Sequence, residues 1–403
     1  MHLFPSPNDY PDLKRLQDRR SFITGAAVAT SAAMFGLAGC RHMGSAAPVS
    51  VRSGALASLQ TLAAAGRQRG LLVGSAVDVK ALRASPEYAQ LIREQCAIVV
   101  GENAMKFGPM RPAPDTYFFD DADYLVDFAG HAGIQVRGHN FVWHRQLPYW
   151  FDGYATKANA ERLLVEHIER VGGRYRGRIQ SWDVCNEVIH LPDGKANGLR
   201  DAPWYRLLGP GYIDLAYRTA RRVDPHAMLC YNDYDIESEA PAHAAKRTAV
   251  LAMVRGMKQR GVPIDAMGIQ GHISAGLSNK YGAGLTVFLN EVKAIDLKLF
   301  ISEMDVNDRA LPPANDARDR EVATRYKQFL DVGLANEGVF ALLTWGLTDR
   351  YTWLNGEDSR EDHLPERCLP FDAELKPTAS FFAELDAIMQ APMRKVVSNK
   401  DRA

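Results

Sequence analysis

The sequence predicts an α/β chain closed into a single (β/α)8 TIM barrel. Short apolar runs alternate with helical segments over about 335 residues, from 56 to 391, within the usual range for such a barrel. The apolar runs also end, one after another, on polar or aromatic residues, and parallel α/β folds present ligands at the carboxyl ends of their strands. A doubly wound open sheet is the alternative, but no Gly-x-Gly-x-x-Gly follows the first strand. Composition agrees: 46% hydrophobic and 24% charged residues suit a globular chain with a sizeable core.

Taken in order, strands are expected at 71–76, 97–100, 135–139, 179–185, 228–231, 266–270, 298–302 and 339–344. Each is a compact apolar run such as Ile98-Val99-Val100 or Val339-Phe340-Ala341-Leu342-Leu343. Helical patterns lie between them, for example at 122–132, 158–171, 212–223, 242–260, 286–294 and 321–336. Gly172-Gly173 reads as a turn before the fourth strand. No internal repeat or change of composition appears after residue 56, so one domain is expected, with a polar tail at 392–403 that frays.

The first forty residues read as targeting rather than fold. Asp18-Arg19-Arg20-Ser21-Phe22-Ile23 resembles a twin-arginine export signal, and an apolar Gly/Ala-rich run follows to Gly39. Leu37-Ala38-Gly39-Cys40 resembles a lipobox, at which the cysteine is lipidated. The expectation is an exported protein, periplasmic or at the cell surface, touching a membrane only through a lipid on Cys40. A plain secretory peptide or a single membrane anchor is the alternative. Residues 41–55 read as a tether.

Net charge is zero and no basic stripe interleaves with the aromatics, which argues against a nucleic-acid partner. Cys96, Cys185, Cys230 and Cys368 remain beside Cys40. A Cys185–Cys230 bridge is one reading, and buried free thiols are the favoured one. His139, His144 and His167 share no short ligand motif, so no metal is expected.

The chemistry gathers at the strand ends. Strand two leads into Glu102-Asn103-Ala104-Met105-Lys106, and strand three into His139-Asn140-Phe141-Val142-Trp143-His144-Arg145-Gln146. Strand four ends on Asn186-Glu187 and strand five on Asn232-Asp233-Tyr234. Strand six gives Gln270-Gly271-His272, strand seven Glu303-Met304-Asp305, and strand eight Trp345. Side-chain alternation places Gln270 with His272, and Glu303 with Asp305, on shared faces. Two glutamates from distant strands facing one cavity fit acid/base chemistry on a glycosidic bond, one carboxyl ionised and one protonated.

These motifs, with Ala122-Asp123-Tyr124-Leu125-Val126, Arg137-Gly138-His139, Trp182-Asp183-Val184-Cys185-Asn186-Glu187 and Thr344-Trp345-Gly346-Leu347-Thr348-Asp349, run in one order from about residue 70 to 385. In that order and spacing the chain resembles glycoside hydrolase family 10, the endo-1,4-β-xylanases. The resemblance implies Glu187 as general acid/base and Glu303 as the nucleophile of a retaining double displacement, with carboxyls about 5–5.5 Å apart. It implies that His272 and Asp305 hold the nucleophile ionised and that Asn186 contacts the 2-hydroxyl of the sugar being cleaved. Glu102, Asn103, Lys106, His139, Trp143, Gln146, Gln270, Trp345 and Trp353 match the glycone-side set, and Tyr234 an aglycone-side aromatic. The substrates implied are xylan and xylo-oligosaccharides, with no cofactor and a monomer as the default. Cys185 and Gly271 depart from the family's commoner residues without removing a functional group. A β-1,4-glucanase of the same fold and a non-catalytic xylan-oligosaccharide-binding lipoprotein are the competing readings.

Overall fold

The computed structural model describes residues 60–277, 279–356 and 359–394. The export signal, Cys40, the tether and residues 395–403 lie outside the described residues. The barrel strands are β1 (Leu72–Val77), β2 (Ile98–Gly101), β3 (Gln135–Val142), β4 (Ser181–Asn186), β5 (Met228–Asp233), β6 (Ala266–Ile269), β7 (Lys298–Asn307) and β8 (Val339–Thr344). Each pairs in parallel with its sequence neighbour, and β1 pairs with β8, so the sheet closes. Closure removes the sheet edges and leaves one mouth at the carboxyl ends.

Alternation divides the strands between two cores. Ile98, Val100, Met228, Cys230, Phe300, Ala341 and Leu343 fill the barrel interior. Val99, Leu229, Leu299, Ile301 and Leu342, the intervening residues, pack outward against the helix layer. Arg137 also points inward, beside the Phe300 ring and bonded to Ser181 Oγ at 3.2 Å. Cys230 therefore faces the interior and Cys185 the helices; both are free and buried, as are Cys96 and Cys368.

All eight expected strands and the six expected helices are present, with ends moved by a few residues. Helix Tyr212–Val223 matches, and the last of the six runs Asn315–Leu334. Two expectations fail. Gly172-Gly173 forms no turn: both lie in helix Ala160–Arg174. There Gly172 lets the helix approach its neighbours, since a Cβ would sit 3.0 Å from Val223 and 3.2 Å from Phe141. The polar tail also begins later than residue 392. Arg394 is buried, and its guanidinium donates to the carbonyls of Val339 (2.6 Å) and Leu334 (2.8 Å).

Irregularities at the carboxyl ends set the site. The register shifts by one residue in β4 between Asp183 and Cys185, in β7 between Ile301 and Met304, and in β3 between His139 and Val142. Such bulges re-aim side chains. In β7 the shift brings both Ser302 and Glu303 to Asn232, although they are sequence neighbours. After β6 the chain breaks at Gly271, whose φ of +79° suits glycine, then continues as His272–Ser274 alongside β7.

Candidate active site

Glu187 follows the last residue of β4 and Glu303 lies within β7, and both side chains are nearly enclosed. They meet different donors. Around Glu187 the donors are neutral: Trp143 Nε1 to Oε2 at 2.7 Å, Gln270 Nε2 to Oε1 at 3.0 Å and Asn186 Nδ2 to Oε1 at 3.1 Å. Burial raises its pKa, the Gln270 and Trp143 hydrogen bonds oppose that, and the negative charge of Glu303 adds to it. The net result is a carboxyl that keeps its proton above the ordinary range.

Around Glu303 the donors include a cation. His272 Nε2 donates to Oε2 at 3.2 Å, and Asn232 Nδ2 to Oε1 at 2.5 Å. Burial pushes this carboxyl up, but the His272 hydrogen bond and the neighbouring His139, His272 and Lys106 outweigh it and hold it at about 2. His272 resists desolvation for the same reason. Its Nδ1 donates to Asp305 Oδ1 at 2.8 Å, and the two carboxylates raise the imidazole well above its usual value. Asp305 thus acts on Glu303 through His272, and Trp353 Nε1 fixes its other oxygen at 2.8 Å.

The two glutamates belong to one hydrogen-bonded unit. Asn232 Nδ2 donates both to Glu303 and to Asn186 Oδ1 (2.9 Å), and Asn186 in turn donates to Glu187. Gly268 makes room for Asn232, because a Cβ there would lie 2.1 Å from its Oδ1.

The remaining expected residues line the same mouth. Lys106 Nζ donates to Asn103 Oδ1 at 3.2 Å and lies 5.0 and 5.7 Å from the ring centres of Trp143 and Trp345. Asn103 also bonds Glu102 (3.2 Å) and accepts from Gln146 (3.4 Å). His139 stands edge-on to Trp345 at 5.2 Å, and His272 edge-on to Trp353 at 5.5 Å. Trp353 remains 37% exposed, which leaves ring surface open to a flat ligand. Tyr234 follows β5, with Lys246 Nζ 3.8 Å above its ring.

A model of glycosyl hydrolase family 10 matches residues 61–387. The chain belongs to that family. This family 10 glycoside hydrolase is 36% identical over 307 residues to a β-1,4-xylanase of Dictyoglomus thermophilum, covering 73% of this chain and 83% of that protein. It is 33% identical over 336 residues to endo-1,4-β-xylanase B of Paenibacillus barcinonensis (77% and 93%). Among solved structures, xylanase 10B of Thermotoga petrophila RKU-1 in complex with xylobiose superposes with a TM-score of 0.74 at 31% identity, over 82% of this chain and 98% of that one.

Three further residues at this mouth carry no role legible in the sequence. Asn232 ends its strand as one polar residue among several, yet its Nδ2 donates to Glu303. Asp183 pairs with Arg137 and accepts from His139 Nδ1 at 2.9 Å, fixing the ring beside Glu303. The interior-facing parity of Arg137, His139 and Asp183 on adjacent strands was the available signal. His144 Nδ1 lies 3.7 Å from Glu187 Oε2; burial, then the charges of Arg200 and Arg145, lower its pKa to about 3. A neutral His144 does not favour ionisation of Glu187.

Among the described residues, two groups present ligand-type atoms within 4.8 Å of one another: His139, Asp183 and Glu303, and Asp235, Glu237 and His243. In the first, Arg137 and His139 already occupy Asp183. In the second, the amides of Ile236 and Gly271 occupy the two oxygens of Glu237. Neither donor set requires an ion.

Proposed function

We propose that this glycoside hydrolase is a retaining endo-1,4-β-xylanase. The observation that carries the reading is the pair Glu187 and Glu303, joined through Asn186 and Asn232, with the first carboxyl pushed above its ordinary range and the second below it. Glu303, ionised, attacks the anomeric carbon and forms a glycosyl-enzyme ester. Glu187 gives its proton to the departing glycosidic oxygen, which leaves with the aglycone. Glu187, now a carboxylate, takes a proton from water, and the hydroxide displaces Glu303 to restore both groups. Two displacements at one carbon return the starting anomeric configuration.

Asn186 and Asn232 lie between the carboxyls, where the 2-hydroxyl of the reacting sugar would come, and a contact there strengthens as the ring gains positive charge. Amide, ammonium and carboxylate groups around Asn103 supply directional partners for hydroxyls, and Trp143, Trp345 and Trp353 supply flat faces.

The test is a reducing-sugar and product-size assay on arabinoxylan and carboxymethylcellulose for the chain and its Glu303→Ala variant. Cleavage of xylan to short oligomers, with cellulose spared and the variant inactive, is the expected result. Cellulose turnover would shift the reading to a glucanase. Xylan binding without turnover by the folded parent chain would shift it to a binding protein.

Export with a lipid on Cys40 is part of the proposal, supported by Arg19-Arg20 and Leu37-Ala38-Gly39-Cys40. Cys40→Ala is expected to move the protein from the membrane to the soluble fraction and abolish palmitate labelling. Unchanged fractionation would remove the lipid from the proposal.

A further inference from the structure

Glu187 occupies an unusual backbone position. Its φ is +59°, a left-handed conformation that side chains other than glycine rarely adopt. The direction of its carboxyl therefore depends on what holds the peptide in place. Its amide donates to the Asn232 carbonyl at 2.9 Å, and its own carbonyl accepts from Arg200 Nε at 2.8 Å. The same guanidinium donates through Nη2 to the Tyr234 hydroxyl at 2.9 Å.

The intervening chain is built to return Arg200 to this point. Ile189 and Leu199 form an antiparallel bridge, His190 N donates to the Gly198 carbonyl at 2.9 Å, and Arg200 N donates to the Val188 carbonyl at 2.7 Å. The far side is equally fixed. Lys246 lies over the Tyr234 ring and pairs with Asp233 at 2.8 Å. A planar guanidinium can meet two acceptors at a set angle, which a lysine ammonium cannot reproduce.

We propose that Arg200 is a positioning residue that ties the aglycone-side ring of Tyr234 to the backbone of Glu187. One guanidinium then sets both the platform under the leaving-group sugar and the aim of the proton delivered to that sugar. This rests on Glu187 being the proton donor. A misplacement of the acid by about 1 Å is enough to cost about 10²-fold. That loss appears only where the leaving group needs a proton.

The experiment compares full-length Arg200→Met, Arg200→Lys, Tyr234→Phe and Glu187→Ala on xylan and on dinitrophenyl β-xylobioside, whose leaving group departs unprotonated. Arg200→Met is expected to lose about 10²-fold in kcat/KM on xylan and less than about threefold on the aryl substrate. Arg200→Lys should follow it, and Tyr234→Phe should show the same split at about tenfold, having lost one of the two tethers. Equal losses on both substrates with a fall in Tm, or no loss on xylan, would overturn the inference. Glu187→Ala separates the two levels. If it shows the split and Arg200→Met does not, only the Arg200 role falls; if it loses both substrates equally, the acid role of Glu187 falls and the Arg200 role with it.

Discussion

Glu187, just beyond β4, and Glu303, within β7, are the same side chain in comparable burial, and the two carboxyls are driven in opposite directions. At β4 the donors to Glu187 are an indole and two amides, and desolvation prevails. At β7 the donors to Glu303 include an imidazole itself held charged by Asp305, and desolvation is overcome. A third glutamate extends the series. Glu384, in the helix Ala379–Gln390, is fully buried with neither oxygen bonded, and burial alone lifts it to about 8. Burial supplies a common upward push, and the charge and number of donors decide where each carboxyl comes to rest.

The comparison breaks most completely if Glu303 is removed. Glu303→Ala is expected to lower kcat on xylan by on the order of 10⁵-fold with unchanged Tm to within a few degrees, read by initial rates and thermal unfolding. Glu187→Ala should cost about 10²–10⁴-fold on xylan, and azide should restore turnover of an activated aryl xylobioside as the β-xylosyl azide. Recovery of the α-azide would contradict a retaining path.

The next two predictions test the donors. His272→Asn removes the cation from Glu303, so the carboxyl rises from about 2 toward its ordinary range. In the proposed mechanism Glu303 must be ionised, so the acid limb of kcat/KM is expected to move to higher pH by about one unit or more. Trp143→Phe removes a hydrogen bond that lowers the Glu187 pKa. The carboxyl then holds its proton longer, and the alkaline limb should move to higher pH, because the ionised carboxylate loses a charge-assisted donor. A shift to lower pH would show that the indole stabilises the protonated form instead.

The smallest effect on catalysis belongs to Glu384, where the consequence is stability. Its folded pKa of about 8 lies above the ordinary 4.5, so the unfolded chain ionises first as pH rises. The group adds no pH-dependent cost below about pH 4.5, destabilises progressively up to about pH 8 at no more than about 1.4 kcal/mol per unit, and changes little above that. Glu384→Gln should leave kcat/KM unaltered and show a Tm advantage that grows between pH 5 and pH 8. An advantage that does not vary with pH would place the effect in packing.

The sequence was most legible where elements repeat. Apolar runs and helical periodicity are local properties, so the strand and helix positions followed from them, and Gly172-Gly173 misled because composition cannot separate a turn from a close helix contact. The strand-end polar groups were legible by the same logic, since every barrel strand delivers its end to one mouth. The roles of Asn232, Asp183, His144 and Arg200 were not. Each acts across a gap of at least 13 residues in sequence, as with the Arg200 bond to Glu187, and a parity count is blind to the bulges in β3, β4 and β7.

By itself, then, the sequence determined the barrel, its order of strands, and which side chains could carry acid/base chemistry, because these depend on residue type and on the periods of helix and strand. The three-dimensional arrangement sets which glutamate has its pKa raised and which lowered, which residues join the pair, and how the Glu187 backbone is held. Those are differences in desolvation and donor geometry over a few ångströms between strands far apart in the chain, and no local pattern encodes them.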